Sequence, residues 1–211
     1  MLRRVSGSRQ NGPFDVVAVI GSLGSLLPLR TVLGHLPPDF PAAVIVVQHR
    51  TPGSGSRLAE LLSRYSAVPA RPAFDGDPVL PGVVHVAPAE ATTLVGPDRR
   101  FRLLEGRCVG DPLLVSVADV YGPRALAVVL SGRLRDGADG LRRIKAAGGR
   151  GLVQAPETCE AAEMPVAAMA TGAYDFALGP DRIGEALVTL VTVAGAAELL
   201  AVRPHPLVAG V

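Results

Sequence analysis

The run Val16-Val-Ala-Val-Ile-Gly-Ser-Leu-Gly-Ser25 constrains this chain more than any other stretch. Its unbroken, β-branched apolar start reads as a strand buried on both faces, since a strand with one wet face would alternate. The run stops at Gly21. Past Gly24 and Ser25 the apolar residues recur at Leu29, Val32, Leu33 and Leu36, which is helical spacing. A strand turning this sharply into a helix points to a parallel α/β sheet, whose ligands and chemistry gather beyond the carboxyl ends of the strands. Ser22 stands at the tip of that turn.

The same alternation organises the rest. Ala42–Val47 is a second apolar run, ending at Gln48-His49-Arg50, and residues 56–65 carry helical periodicity at Leu58, Leu61, Leu62 and Tyr65. From 67 to 104 the runs become short (83–86, 93–95, 101–104) and are separated by Gly, Pro and Asp, which predicts a small antiparallel excursion with hairpins. A helix over 113–120, a strand over 125–131, a helix containing Leu141 and Ile144, a strand over 151–154, a helix over 164–171, a strand over 175–178 and a closing helix over 181–202 follow. The expected architecture is a doubly wound, mostly parallel sheet flanked by helices with that small hairpin excursion. The expected organisation is a polar leader over 1–13, one domain over 14–203 and a tail over 204–211, because 211 residues suit a single core.

Composition narrows the function classes. The longest apolar segment, 186–197, is interrupted by threonines and flanked by Glu185 and Glu198, so a buried helix is expected and no membrane insertion. The leader has arginines but no apolar core, unlike a secretory signal, which makes the cytoplasm the expected location. Net charge is only +2 with 4% aromatics, a poor basis for nucleic-acid binding. Cys108, Cys159 and the scattered His35, His49, His85 and His205 show no metal-ligand spacing, and no metal or cofactor is expected.

Three polar residues follow three separate apolar strands: Ser22, His49 and Asp136. In a parallel sheet those strand ends share one edge, so the three residues can converge. Their chemistry is complementary: a weakly nucleophilic hydroxyl needs an imidazole to take its proton, and the imidazole needs a carboxylate to fix its tautomer. Taken singly, each has a plainer reading, as a turn serine, a strand terminator and a helix N-cap. A phosphate-binding glycine turn is the competing site, but Gly21 and Gly24 do not satisfy G-x-G-x-x-G, and the second strand ends in Gln48-His49 without an acidic residue. The order Ser, His, Asp also differs from that of the α/β-hydrolases. His85 and His205 read as a strand and a tail histidine, and Cys159 as packing.

Ile20-Gly21-Ser22-x-Gly24, Leu36-Pro37-Pro38-Asp39-Phe40-Pro41 and Val46-Val47-Gln48-His49 resemble the catalytic domain of CheB-type chemotaxis protein-glutamate methylesterases. The resemblance continues through Asp75-Gly76, Leu80-Pro81-Gly82, Val86-Ala87-Pro88, Ser131-Gly132, Asp136-Gly137-Ala138, Gly140, Glu157-Thr158-Cys159 and Met164-Pro165, covering about residues 14–195. It implies a Ser-His-Asp triad that hydrolyses glutamyl methyl esters on methylated chemoreceptors and deamidates particular glutamines. By motif, Ser22 is the nucleophile, His49 the base and Asp136 its orienting acid.

Three segments depart from the family pattern. The nucleophile loop, typically Gly-Ala-Ser-x-Gly-Gly, is one residue shorter here and has Ser25 for its last glycine. The aspartate loop, typically Gly-Met-Gly-x-Asp-Gly, has Arg133 and Leu134 in place of methionine and glycine, and the His-Arg-Pro-Ser-Val-Asp segment is reduced to Arg107-Cys108-Val109-Gly110-Asp111. The family's receiver domain is expected to be absent, as only the leader precedes the first strand. These departures leave a catalytically silent binding module as the alternative to an esterase.

Overall fold

The structure is a computed structural model describing residues 13–50 and 55–196. Val16–Gly21 forms β1, with every residue buried. It pairs in parallel with β2 (Ala43–Gln48) on one side and β7 (Ala125–Val129) on the other. Strands β3 (Ala70–Pro72), β4 (Val84–Val86), β8 (Arg150–Gln154) and β9 (Phe176–Leu178) complete a seven-stranded sheet in the order β3-β4-β2-β1-β7-β8-β9. All its pairings are parallel. The remaining strands, β5 (Ala91–Val95) and β6 (Phe101–Glu105), form a separate antiparallel pair.

The side-chain alternation of β1 explains why both faces must be covered. Val17 and Val19 enter a core built with Leu29, Val32 and Leu33 of α1 (Leu26–Gly34), Leu58 and Leu62 of α2 (Gly55–Ser63), and Ile183, Leu187 and Leu190 of α6 (Pro180–Thr192). Val16, Ala18 and Ile20 enter the other core, with Leu113, Leu114 and Val117 of α3 (Asp111–Tyr121), Leu141 and Ile144 of α4 (Ala138–Ala146), and Met164 and Ala168 of α5 (Glu163–Ala170). Val95 and Phe101 bring the β5–β6 hairpin onto this second core. Each fully buried Val or Ile contributes roughly 1.5–3 kcal/mol relative to exposure, which commits β1 to the sheet centre.

Two expectations are corrected. The 83–86 run does not belong to the antiparallel excursion: β4 lies inside the main sheet, between β2 and the unanticipated β3. Three residues are too short to show a period, and pairing with β2 decides the matter. The helix expected over 181–202 is interrupted after Thr192, where Val193 turns extended at φ −96°, ψ 117° and Gly195 takes φ 80°; Ala196 is helical again, and 197–202 lie outside the described residues. A left-handed glycine just past a helix is a stop signal that apolar content conceals. Residues 1–12 of the leader expected over 1–13, residues 197–203 of the expected domain, the tail and His205 lie outside the described residues.

Candidate functional site

Strands β1 and β2 run in register, with Gly21 opposite Gln48, so the next residues of the two strands, Ser22 and His49, are neighbours at the carboxyl edge. The His49 N–H donates to Gly21 O at 2.9 Å and locks this adjacency. Ser22 N–H donates to Ser131 O at 2.9 Å, which ties the nucleophile turn to the end of β7 as well. Asp136 comes later, between β7 and α4, and its Oδ2 accepts the His49 Nε2–H at 2.7 Å. His49 and Asp136 are therefore in direct contact, and the Ser22 backbone stands at the same edge of the sheet. Among the described residues the Ser22 hydroxyl makes no hydrogen bond of its own. In a site without substrate this is the ordinary condition of a nucleophile, because such contacts tighten as the complex forms.

The Ser22 turn is closed by Ser25, which stands where the family pattern read above has glycine. Ser25 is buried, its N–H donates to Ser22 O at 3.1 Å, and its Oγ–H donates to the same carbonyl at 2.6 Å. Gln48 Nε2 approaches Ser25 Oγ at 3.4 Å from β2. Gly24 supplies the left-handed φ of 74° that the tight turn requires. From the β7 side, buried Ser131 donates its hydroxyl to Leu23 O at 2.8 Å. Gly132 is obligatory, since a Cβ there would lie 2.7 Å from Ser22 Cβ and 2.1 Å from Met164 Sδ.

Asp136 does not cap its own helix: α4 starts after Gly137 with no side-chain cap, so the N-cap reading fails. The carboxylate instead accepts Gly110 N–H at Oδ2 (2.6 Å) and Asp111 N–H at Oδ1 (2.9 Å), the orphan amides at the start of α3. Burial pushes the Asp136 pKa upward, but the hydrogen bonds from His49, Asp111 and Gly110 outweigh it and hold the carboxyl below its ordinary range. A carboxylate only accepts, so His49 carries its proton on Nε2 and presents Nδ1 as the basic atom.

A cavity of about 830 Å³ opens beside this pair, lined by His49, Arg50, Arg107, Cys108, Leu134 and Asp136 among others. Arg50 is fixed in its wall by donating to Gln48 O at 3.0 Å and Ala87 O at 2.6 Å. Cys108 offers no competing nucleophile, because burial pushes its thiol up to about 11. Fully buried His85 is equally inert: burial lowers it to about 4, and its Nε2 accepts the Leu80 N–H at 3.0 Å. Among the described residues no group of three or more His, Cys, Asp or Glu is placed to hold a metal ion, and no helix is long and apolar enough to cross a membrane.

With the geometry in view, the comparisons are decisive for the family. Residues 17–187 match the family model described as CheB methylesterase. The chain belongs to the CheB methylesterase family. It is 41% identical over 179 residues to "Protein-glutamate methylesterase/protein-glutamine glutaminase 3" of Anaeromyxobacter dehalogenans, covering 82% of this chain and 52% of the relative. It is 35% identical over 187 residues to "Protein-glutamate methylesterase FrzG" of Myxococcus xanthus, covering 86% and 56%. The crystal structure of the Thermotoga maritima CheB methylesterase catalytic domain superposes with a TM-score of 0.80 at 31% identity, covering 84% of this chain and 99% of that one. The chain thus spans about half the length of the curated relatives it matches.

Sequence reasoning missed what holds Asp136. Gly110 and Asp111 read only as the remnant of a family segment, although Gly-Asp-Pro is a recognisable helix start. Which carboxylate the helix start would receive was not visible, because the donor and acceptor lie 25 or 26 positions apart.

Proposed function

We propose that this CheB-family chain hydrolyses glutamyl methyl esters on a methylated chemoreceptor or related signalling protein, and deamidates glutamine at the same site, acting in the cytoplasm. The observation that carries the reading is the His49 Nε2–Asp136 Oδ2 bond of 2.7 Å formed next to the Ser22 turn. Ser22 Oγ attacks the ester carbonyl while His49 Nδ1 takes the hydroxyl proton, and Asp136 stabilises the imidazolium. The tetrahedral intermediate expels methoxide, which leaves as methanol with the proton from His49. Water then adds to the acyl-serine by the same proton path, releasing the glutamate carboxylate and restoring Ser22. With a glutamine side chain the leaving group is ammonia.

The developing oxyanion needs a backbone donor. In the aspartate loop Gly132 N–H is spent on Ala161 O at 2.8 Å and Leu134 N–H on the Glu163 carboxylate at 2.7 Å. Arg133 N–H has no partner among the described residues and is the donor we assign, so the arginine side chain in place of methionine does not remove the function. The test is methanol release from a methylated receptor fragment by wild type and Ser22→Ala. Serine-dependent release is expected; a folded wild-type protein that releases no more methanol than the variant, across several fragments, refutes the proposal.

A further inference from the structure

Asp111 is the first residue of α3, directly after the Gly110 cap, and it lines the cavity with Asp136 and Asp139. Its own side chain does not serve α3. Asp111 Oδ1 accepts the Gly140 N–H at 2.7 Å, the third residue of α4 and one of that helix's orphan donors. In return Asp136, which immediately precedes the Gly137 cap of α4, takes the Gly110 and Asp111 amides of α3. Each helix start is therefore capped by a carboxylate from the other. The two helices approach closely enough there that a Cβ on Gly140 would lie 2.4 Å from Leu114 Cβ.

This exchange couples a non-catalytic carboxylate to the orientation of the imidazole. Asp136 has one rotamer that places Oδ1 on Asp111 N–H and Oδ2 on both Gly110 N–H and His49 Nε2–H, and that rotamer requires α3 and α4 to start at fixed relative positions. The Asp111–Gly140 bond fixes that relation. The arrangement also sets two carboxylates side by side: burial first, then the charges of Asp136 and Asp139, raise the Asp111 pKa, opposed by the backbone amides of Gly140 and Gly137. What holds the Asp111 side chain in this unfavourable place is its bond to the Gly140 N–H.

We propose that Asp111 is a positioning residue, which clasps α3 to α4 through Gly140 so that Asp136 holds the His49 imidazole in its productive orientation. The proposal rests on the triad reading above for its kinetic consequences but not for its structural one. Two measurements test it together: the downfield proton NMR resonance of His49 Nε2–H, read without substrate, and the steady-state rate of methanol release. Asp111→Ala loses the acceptor, so the resonance broadens or disappears and kcat falls about tenfold or more while KM changes less, as expected when a reacting group is misoriented by a fraction of an ångström. Asp111→Asn keeps an oxygen for Gly140 and recovers the resonance and most of the rate.

A folded Asp111→Ala protein with wild-type resonance and rate overturns the clasp, and so does an Asn variant as impaired as the Ala variant, which would assign the role to charge. Should Asp111→Ala not fold, Asp111→Glu replaces it. The acceptor is then displaced by one methylene; the same losses are expected, and wild-type behaviour overturns the proposal. Because the resonance needs no substrate, absence of serine-dependent hydrolysis in the wild type refutes the methylesterase reading alone.

Discussion

The two halves of the site are built in opposite ways. Asp136 is saturated: both its oxygens are occupied, and its three donors come from β2's end and α3's start. Ser22 is held only by its backbone, through Ser131 O and the two bonds that Ser25 makes to its carbonyl, while its hydroxyl is uncommitted. The difference matches the roles proposed for them. A carboxylate that fixes a tautomer works best when nothing about it moves, whereas a nucleophile must exchange its partners during the reaction. The departures from the family pattern fall on both halves: the short turn and Ser25 beside Ser22, and Arg133, Leu134 and the Arg107–Asp111 segment around Asp136, where the Gly110 and Asp111 amides nevertheless hold the carboxylate.

The sharpest break is Ser22→Ala. Removing an uncommitted hydroxyl at a half-buried turn should leave stability within about 0.5 kcal/mol of wild type. Methanol release should fall by about a thousandfold or more, to whatever residual rate the remaining site supports. Denaturant midpoints and initial rates on the same preparation check both parts.

Asp136→Asn attacks the saturated half and should cost on the order of a thousandfold in rate, because the amide turns an N–H toward a site that needs only acceptors. It also has a signature in stability. The folded-state pKa of Asp136 is depressed below its unfolded value of about 3.9, so folding favours the charged form. The resulting stabilisation is present above the unfolded value and is lost as pH falls through the lower folded one. Denaturant titrations from pH 5 to pH 2 should show a steeper acid loss in wild type than in Asp136→Asn.

Gly110→Ala sharpens the comparison by disturbing the donors while leaving Ser22, His49 and Asp136 unsubstituted. A Cβ there lies 2.3 Å from the Cγ2 of Ile20, a core residue with no exposure, and 3.1 Å from Asp136 Oδ2. Something must shift, and overpacking a core commonly costs about 1–3 kcal/mol. Moving the amide off Asp136 by even about 1 Å should lower kcat by roughly a hundredfold. Gly82→Ala is no matching control, since its φ of 68° is itself strained, so the reference variant should be an exposed helix position such as Val166→Ala.

These contrasts also explain what was legible in the sequence. The β1 run, its helix and the three polar strand-end residues were readable because long apolar stretches and local periodicity report on neighbours in the chain. The place of β4 in the main sheet was not, since Val84–Val86 is short and its membership is settled by pairing with β2. The Asp136 cradle was equally hidden, as a carboxylate before one helix gives no sign that it will cap another. Ser25 was legible as a departure from the family but not as its remedy: only the fold shows its hydroxyl closing the turn onto Ser22 O.

The smallest expected effect concerns the Leu134 backbone. Where the family pattern read from the sequence has glycine, Leu134 takes a left-handed φ of 67°, the residue 78% exposed and its N–H on the Glu163 carboxylate. A β-carbon in that conformation costs about 1–2 kcal/mol, and exposure leaves no packing to offset it. Glycine relieves the strain but loses more entropy on folding, by roughly 0.5–1 kcal/mol. Leu134→Gly should therefore stabilise the protein by about 0.5–1 kcal/mol, read as a raised denaturant midpoint at unchanged slope. With the loop path unaltered, the Arg133 amide stays in place and kcat should change by less than about twofold. A large rate change at unaltered stability would mean that the leucine side chain itself shapes the cavity it lines beside Asp136.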